Sequence, residues 1–517
     1  MNDGAGSAPS GRQVRRWTAR RRRARAPLAT ADFLADLYNA ALTVAIAVAM
    51  TLAGAQAFGA DLTTLPESPG HARGLDPIWL VLLAALAASA GAIALAARLG
   101  PVSLGPTRAA WWLPLPVDRR GLLRPNAFVW PVVGAGLGCV IGAAVTLASA
   151  APARGHVVAG TLAGGAVLSA VTLGVGLTQT DPARHRRLRH GADLVLGLGP
   201  VVVLALALLG LPAPIPRPEE LGSVAVVASL TTLALVVRLD RRLDQLTDRS
   251  LRQGGAAAYG AFGATLSVDT RALSQALTAR AERPERRSRT FGLVRRAPLR
   301  LAAPAALITA DLLLVLRERR RPVQLLVAMC LPLLALAVAA PLPALVVVVF
   351  AAGAYLAAVT GAEGARRAEA APMLDVLLPL GGRAVRLSRL LTPALAVTLW
   401  SVPMHLALAW RLAPEGLSAA PGWLLLGVLA APAWAAGAVR GAYRPEQPIA
   451  GQLVHTPMGS FDPTVVLALL RGPDLALMCA VPALIAVATG SVSVWLLLAQ
   501  GIGAAIATLV VVLSARR

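Results

Sequence analysis

The chain has 517 residues, of which 56% are hydrophobic and only 15% charged, and its mean hydropathy is +0.65. Soluble domains carry roughly 25% charged residues, so an ordinary soluble enzyme is excluded. The formal charge of +23 does not imply a nucleic-acid partner, because aromatics are only 4% and the basic residues lie between apolar runs long enough to cross a bilayer, about 20 residues each.

In chain order, residues 1–27 are polar and rich in arginine (Arg12, Arg15, Arg16, Arg20–Arg23, Arg25), the composition of a disordered cytoplasmic tail. The apolar run from Tyr38 to Phe58 is longer than the roughly 7–15 residues of a signal-peptide core, so it is read as a retained first span. Further runs lie near 78–98, 128–150, 156–178, 193–214 and 222–238. After a long polar segment come 322–340, 343–360, 391–410, 422–439, 473–490 and 493–513. Twelve spans are expected. With the N-terminus inside, Arg73, Arg154, Arg217 and Arg411 are the only basic residues in the external loops. That alternation matches the enrichment of basic residues in cytoplasmic loops and puts both termini in the cytoplasm.

An internal repeat is visible in the order of short anchors. Thr30-Ala31-Asp32-Phe33-Leu34 precedes the first span and Thr309-Ala310-Asp311-Leu312-Leu313 the seventh. Trp111-Trp112-Leu113-Pro114-Leu115-Pro116-Val117-Asp118-Arg119-Arg120 follows the second span, and Leu377-Leu378-Pro379-Leu380-Gly381-Gly382-Arg383 the eighth. Gly155 pairs with Gly422, and Asp193-Leu194 with Asp474-Leu475. Six spans per half keep both halves in one orientation, as parallel repeats. The segments 30–38 and 304–320 read as amphipathic helices in the cytoplasmic interface, carrying Asp32, Asp311 and Arg317. Between the halves, Leu239, Leu243 and Leu246 form an apolar stripe among charged residues, read as a solvated linker helix with a basic surface toward anionic lipid. Glycines 134, 136, 138, 160, 164, 165, 174 and 176 give the third and fourth spans faces for close packing.

The expected organisation is a basic tail (1–27), a first six-span half (28–238), a basic linker (239–303) and a second six-span half (304–517). It is an all-α polytopic integral membrane protein of about twelve transmembrane helices in two parallel repeats, placed in the cell membrane.

An interfacial helix, two spans, a cytoplasmic Leu-Pro-Arg-Leu loop and four more spans together resemble the membrane subunit of type-2 ABC exporters, with two halves fused. Arg366-Arg367-Ala368-Glu369, Leu377-Leu378-Pro379-Leu380 and Arg383 carry the resemblance in the second half. Trp112-Leu113-Pro114-Leu115-Pro116-Val117, Arg119 and Leu122-Leu123 carry it in the first. The first copy has Thr107-Arg108 in place of the glutamate, and the second has Gly381-Gly382 where Pro-Val stands in the first. The resemblance implies an exporter permease driven by a separate cytoplasmic ATPase, in two copies, which carries the ATP and Mg. It makes Leu115, Val117, Arg119, Arg120, Leu380, Arg383 and Arg386 the contact residues. A proline-bounded Leu/Arg segment is rigid enough to transmit force.

No lysine occurs anywhere in the chain, so a conventional P-loop, which needs one to reach the β- and γ-phosphates, is excluded. His-Glu-x-x-His, Gly-x-Ser-x-Gly and Asp-x-Asp patterns are missing too. Cys139, Cys330 and Cys479 have the spacing of neither a disulfide framework nor a zinc site. The chain is expected not to be an enzyme and to hold no cofactor or metal itself. The competing reading is a secondary carrier or a membrane scaffold. A coupled carrier usually places ionisable groups mid-membrane, and here His405 is the one histidine well inside a span, with Gln500 the clearest buried amide.

Overall fold

The computed structural model describes residues 10–25, 30–64, 78–149, 153–211, 213, 217–266, 298–318, 320–337, 343–371, 373, 375, 377–413, 416–444, 454–456, 459–461 and 470–514. Among them the architecture is helical apart from a short antiparallel hairpin, β1 (Val454–Thr456) with β2 (Gly459–Phe461). Ten helices are long and apolar enough to cross a membrane. The chain is a multi-pass membrane protein.

The chain divides into two compact units. The first takes in residues 1–71, 77–199 and 212–283, the second residues 72–76, 200–211 and 284–517. Helices of the first unit are α1 (Gly11–Arg25), α2 (Thr30–Thr64), α3 (Ile78–Leu99), α4 (Pro106–Trp112), α5 (Arg119–Ala127), α6 (Val129–Leu147), α7 (Arg154–Thr178), most of α8 (Pro182–Leu208), α9 (Pro218–Arg242) and α10 (Asp248–Leu266). The second unit holds α11 (Leu299–Arg317), α12 (Arg320–Ala337), α13 (Pro343–Gly361), α14 (Glu363–Ala370), α15 (Gly382–Leu412), α16 (Ala420–Ala442), α17 (Pro473–Cys479), α18 (Val481–Thr489) and α19 (Val494–Leu513).

Two of the twelve expected spans differ from the ten. The run 38–58 lies within α2, whose described apolar stretch is Val44–Ala57. No proline or glycine interrupts residues 30–53, so the segment 30–38 continues into that run and forms no separate interfacial helix. The side chain of Asp32 lies outside the described residues. In the second half α11 does end before the span: Pro322 has no N–H to offer the carbonyl of Glu318, and Glu318 takes an extended conformation.

The run 473–490 is broken into α17 and α18 at Ala480. Pro482 cannot donate to Met478, and the side-chain amide of Gln500 inserts into the next rung. Gln500 Nε2 donates to the carbonyl of Cys479 and its Oε1 accepts from the N–H of Ala483, both at 3.1 Å. Those two groups are four residues apart, the pair an unbroken helix would join directly. An unsatisfied backbone group in hydrocarbon costs several kcal/mol, and Gln500, itself fully buried, supplies both partners.

Other prolines leave carbonyls that distant side chains cap. Pro332 deprives Ala328 of its helical donor, and Trp400 Nε1 donates to that oxygen at 2.9 Å. Pro125 deprives Gly121, and the guanidinium of Arg15 donates there at 3.3 Å.

Glycine spacing fixes the closest helix contact in the first unit. On α6 a Cβ at Gly138 would lie 2.1 Å from the carbonyl oxygen of Gly164, and one at Gly142 the same distance from that of Gly160 on α7. Alanine at either place would drive the backbones apart. The glycine faces read from sequence are therefore real, although Gly136 and Gly174 meet nothing within 4 Å. The core of the second unit is larger and aromatic, gathering Phe350, Trp400, Met404, Trp423 and Trp434.

Candidate functional site

The site is the arginine-rich end of each unit, where the proline loops lie. In the first unit α4 begins with Pro106 at its first position, and Trp112 and Leu113 are buried at its end. After the Pro114–Pro116 turn, Asp118 caps α5 by accepting from the N–H groups of Arg120 and Gly121 at 3.1 and 3.3 Å. A side-chain cap of this kind is worth about 1 kcal/mol. Leu122 and Leu123 of α5 then point into a cluster with Leu239, Leu243, Leu246 and Leu251. The stripe read from sequence as a solvated linker is thus covered by the chain itself.

The same packing consumes the arginines. Arg119 pairs with Asp248 at 2.8 Å, Arg120 pairs with Asp244, and Arg124 holds both oxygens of Asp240 at 2.5 Å. Arg120 also donates to the carbonyl of Arg241 at 3.2 Å. These pairs are half-exposed, so solvent screening keeps each of them weak. The four buried leucines, at about 1.5–3 kcal/mol each, supply most of the attachment, and the ion pairs set its register. Leu115 remains exposed, and Val117 leans on the leucine cluster.

The N-terminal block is not a loose tail over its described part. Residues 11–25 form α1, which lies on α5 so closely that a Cβ at Gly11 would meet the carbonyl of Asp118 at 2.1 Å. Val14 packs beside the leucine cluster.

The second unit is arranged otherwise. Here α14 carries Glu363, and Arg321 at the start of α12 binds Glu363 at 2.8 Å and Glu318 at 3.2 Å. Deeper in, Arg389 on the second turn of α15 donates to both oxygens of Asp311 at 3.0 and 3.2 Å and to Asp375 at 2.7 Å. Gly364 of α14 lies against that carboxylate, since a Cβ there would fall 2.0 Å from Oδ1 of Asp311. Burial pushes the Asp311 carboxyl up to about 6, with Arg389 opposing the shift. Burial likewise pushes the Tyr443 hydroxyl up to about 12, so it stays protonated and donates to Asp375 at 3.4 Å. The guanidinium of Arg386 stacks 3.3 Å above the Tyr443 ring.

Above this braced base the loop is open. Met373 is 76% and Leu377 80% exposed. Pro379, Gly381 and Arg383 are exposed, and Leu380 is half-buried. Among the described residues Arg383 has no acidic partner. Arg317, predicted on the outer side of its helix, is exposed.

The sequence-predicted residues therefore separate into two groups. Arg119 and Arg120 were expected to face a partner, but they bind the chain's own aspartates. Arg386 is held by Tyr443. Leu115 and Arg383 are exposed, and Leu380 is half-buried. Sequence reasoning missed Arg389, Asp375 and Tyr443 as a brace. It also missed the match between Asp240, Asp244 and Asp248 and the arginines 119, 120 and 124, although the aspartates are regularly spaced four apart. His405 is buried, donates from Nδ1 to the carbonyl of Ser401 at 2.9 Å, and packs between Phe350 and Trp423. That environment fits a packing residue.

A family model described as a family of unknown function (DUF6297) matches residues 70–448. The chain belongs to that family. No curated protein and no solved structure matches it.

Proposed function

We propose that this chain is the permease subunit of an ABC-type exporter in the cell membrane, with both termini cytoplasmic and two parallel six-span halves. A separate ATPase carrying ATP and Mg docks on the loop between α14 and α15. The observation that carries this reading is the construction of that loop. Large apolar side chains, Met373 and Leu377, stand exposed on a short segment whose base is tied by Arg389 to α11 and, through Glu363 of α14, to Arg321 of α12. An exposed apolar tip on a soft loop would move alone. On this base, a push at Met373 and Leu377 reaches α15 and the interfacial helix α11 together.

The first loop has its arginines paired internally, so the second is the principal contact. The test is to purify the full chain from its native host, identify a P-loop ATPase that accompanies it, and reconstitute the two. The expected result is ATP hydrolysis stimulated by the permease, with M373E/L377E removing most of that stimulation while membrane insertion is unchanged. Transport driven by an ion gradient in vesicles without any ATPase would overturn the proposal.

A further inference from the structure

Where α1 crosses the start of the α5–α6 span, the two elements border an open cleft of about 340 Å³ lined by Arg12, Arg15, Arg16, Arg124, Pro125 and Phe128. Arg12, Arg15 and Arg16 occupy one face of α1, since residues three and four apart are helical neighbours. They are not there by drift of a loose helix. Gly11 and Gly121 allow backbone contact, a Cβ at Gly121 meeting the N–H nitrogen of Arg12 at 2.8 Å, and Arg15 donates to the Gly121 carbonyl that Pro125 leaves open.

Four arginines thus line one cleft. Asp240 is committed to Arg124 through both oxygens, and Asp118 to the N–H groups that open α5. Clustering like charges on one helix face is unfavourable, and here the described carboxylates leave an excess of positive charge. The cleft is also two-sided. Its floor is Pro125 and Phe128, and directly beyond it Val129, Val132 and Val133 are exposed along α6, the start of a helix apolar enough to cross a membrane.

We propose that this cleft binds the phosphate headgroup of an anionic phospholipid. The arginines hold the phosphate, Phe128 lies under the glycerol region, and an acyl chain runs along Val129, Val132 and Val133. Guanidinium groups suit phosphate because their paired donors match its oxygens. The exposed apolar face that follows the charges favours a lipid over a free anion. Bound there, the lipid clamps α1 onto α5 and makes the attachment sensitive to membrane composition. The inference does not depend on the transport reading, because it concerns a lipid site on any protein with this first unit.

The experiment uses the full chain, delipidated in a neutral detergent and titrated with phosphatidylglycerol or phosphatidylcholine. Retained lipid per protein is measured by mass spectrometry, and unfolding temperature is followed in parallel. Wild type should retain about one phosphatidylglycerol with at least about tenfold preference over phosphatidylcholine, and R12A/R16A should lose that preference. R12K/R16K, which keeps the charge, should retain part of it. R20A/R21A, matched in charge and outside the cleft lining, should behave as wild type. Melting without added lipid shows that each variant is folded. Equal retention of the two lipids, an R12A/R16A variant that binds like wild type, or displacement of the lipid by millimolar inorganic phosphate would each overturn the proposal.

Discussion

Arg389 holds the second loop together, and replacing it tests the arrangement most directly. Its side chain is 7% exposed, and it binds Asp311 twice, at 3.0 and 3.2 Å, and Asp375 once, at 2.7 Å. In R389M the stem is filled but the charge is gone, and two carboxylates remain with no cation between them. Breaking a buried pair from one side costs about 3–5 kcal/mol, because the remaining charge is left unpaired. The pH dependence has a definite sign. With Arg389 present, burial already raises Asp311 from 3.8 to about 6. Its protonated form therefore favours folding. That contribution is complete below the unfolded value and is lost as pH rises through about 6, a difference of roughly 3 kcal/mol. Without Arg389 the carboxyl rises further, so the variant gains more from acid than wild type does. Thermal melts in detergent, followed by tryptophan fluorescence, should show R389M far below wild type at pH 8. The gap should shrink by at least half at pH 5. A gap that is the same at both values, or an R389M no less stable than R383M on the exposed first turn, would refute the reasoning.

Two further substitutions probe neighbouring contacts by the same melts. G364A places a methyl against a carboxylate that Arg389 already fixes, and overpacking of this kind should cost about 1–3 kcal/mol. G381A, with nothing within 4 Å, should be neutral, and equal effects would discount the contact. Q500L strands the Cys479 carbonyl and the Ala483 N–H, at about 1–3 kcal/mol for each group. P482A, which restores a donor to the broken helix, should recover part of that loss when combined with Q500L, and no recovery would mean that the break has another cause.

Much of the membrane architecture was legible because it is local. Apolar length marks a span, and glycines four apart on facing helices announce close contact before any partner is known, as at Gly138 and Gly164. The break at Ala480 was not read, because averaging over 473–490 hides one proline inside an apolar run, although Pro482 and Gln500 were both visible. The partners of Arg119 and Arg120 were not legible for a different reason. Asp248 lies 129 positions and Asp244 124 positions along the chain, and periodicity within a segment says nothing about which distant segment covers it. A positive-inside rule counts arginines without asking whether they are already paired. Asp311 was read as part of an interfacial helix, but its burial depends on Gly364 and Arg389, 53 and 78 positions away.

The difference between the two loops follows from a few residues at the turn. In the first, Asp118 caps α5, a nine-residue helix that meets α6 at Phe128. Pro125 and Pro131 lie on either side of the α5–α6 junction at Phe128, where both remove helical donors. In the second, Gly381 caps α15 without a side chain, and the helix runs 31 residues from the loop into the span. The second loop therefore opens onto one long helix held at Arg389, with Pro393 and Pro403 inside it, while the first opens onto two helices that meet at Phe128 and are held by leucines, aspartates and α1. The cleft between α1 and Phe128 lies against that junction, so the lipid proposed for it would bridge α1 to the point where α5 meets α6.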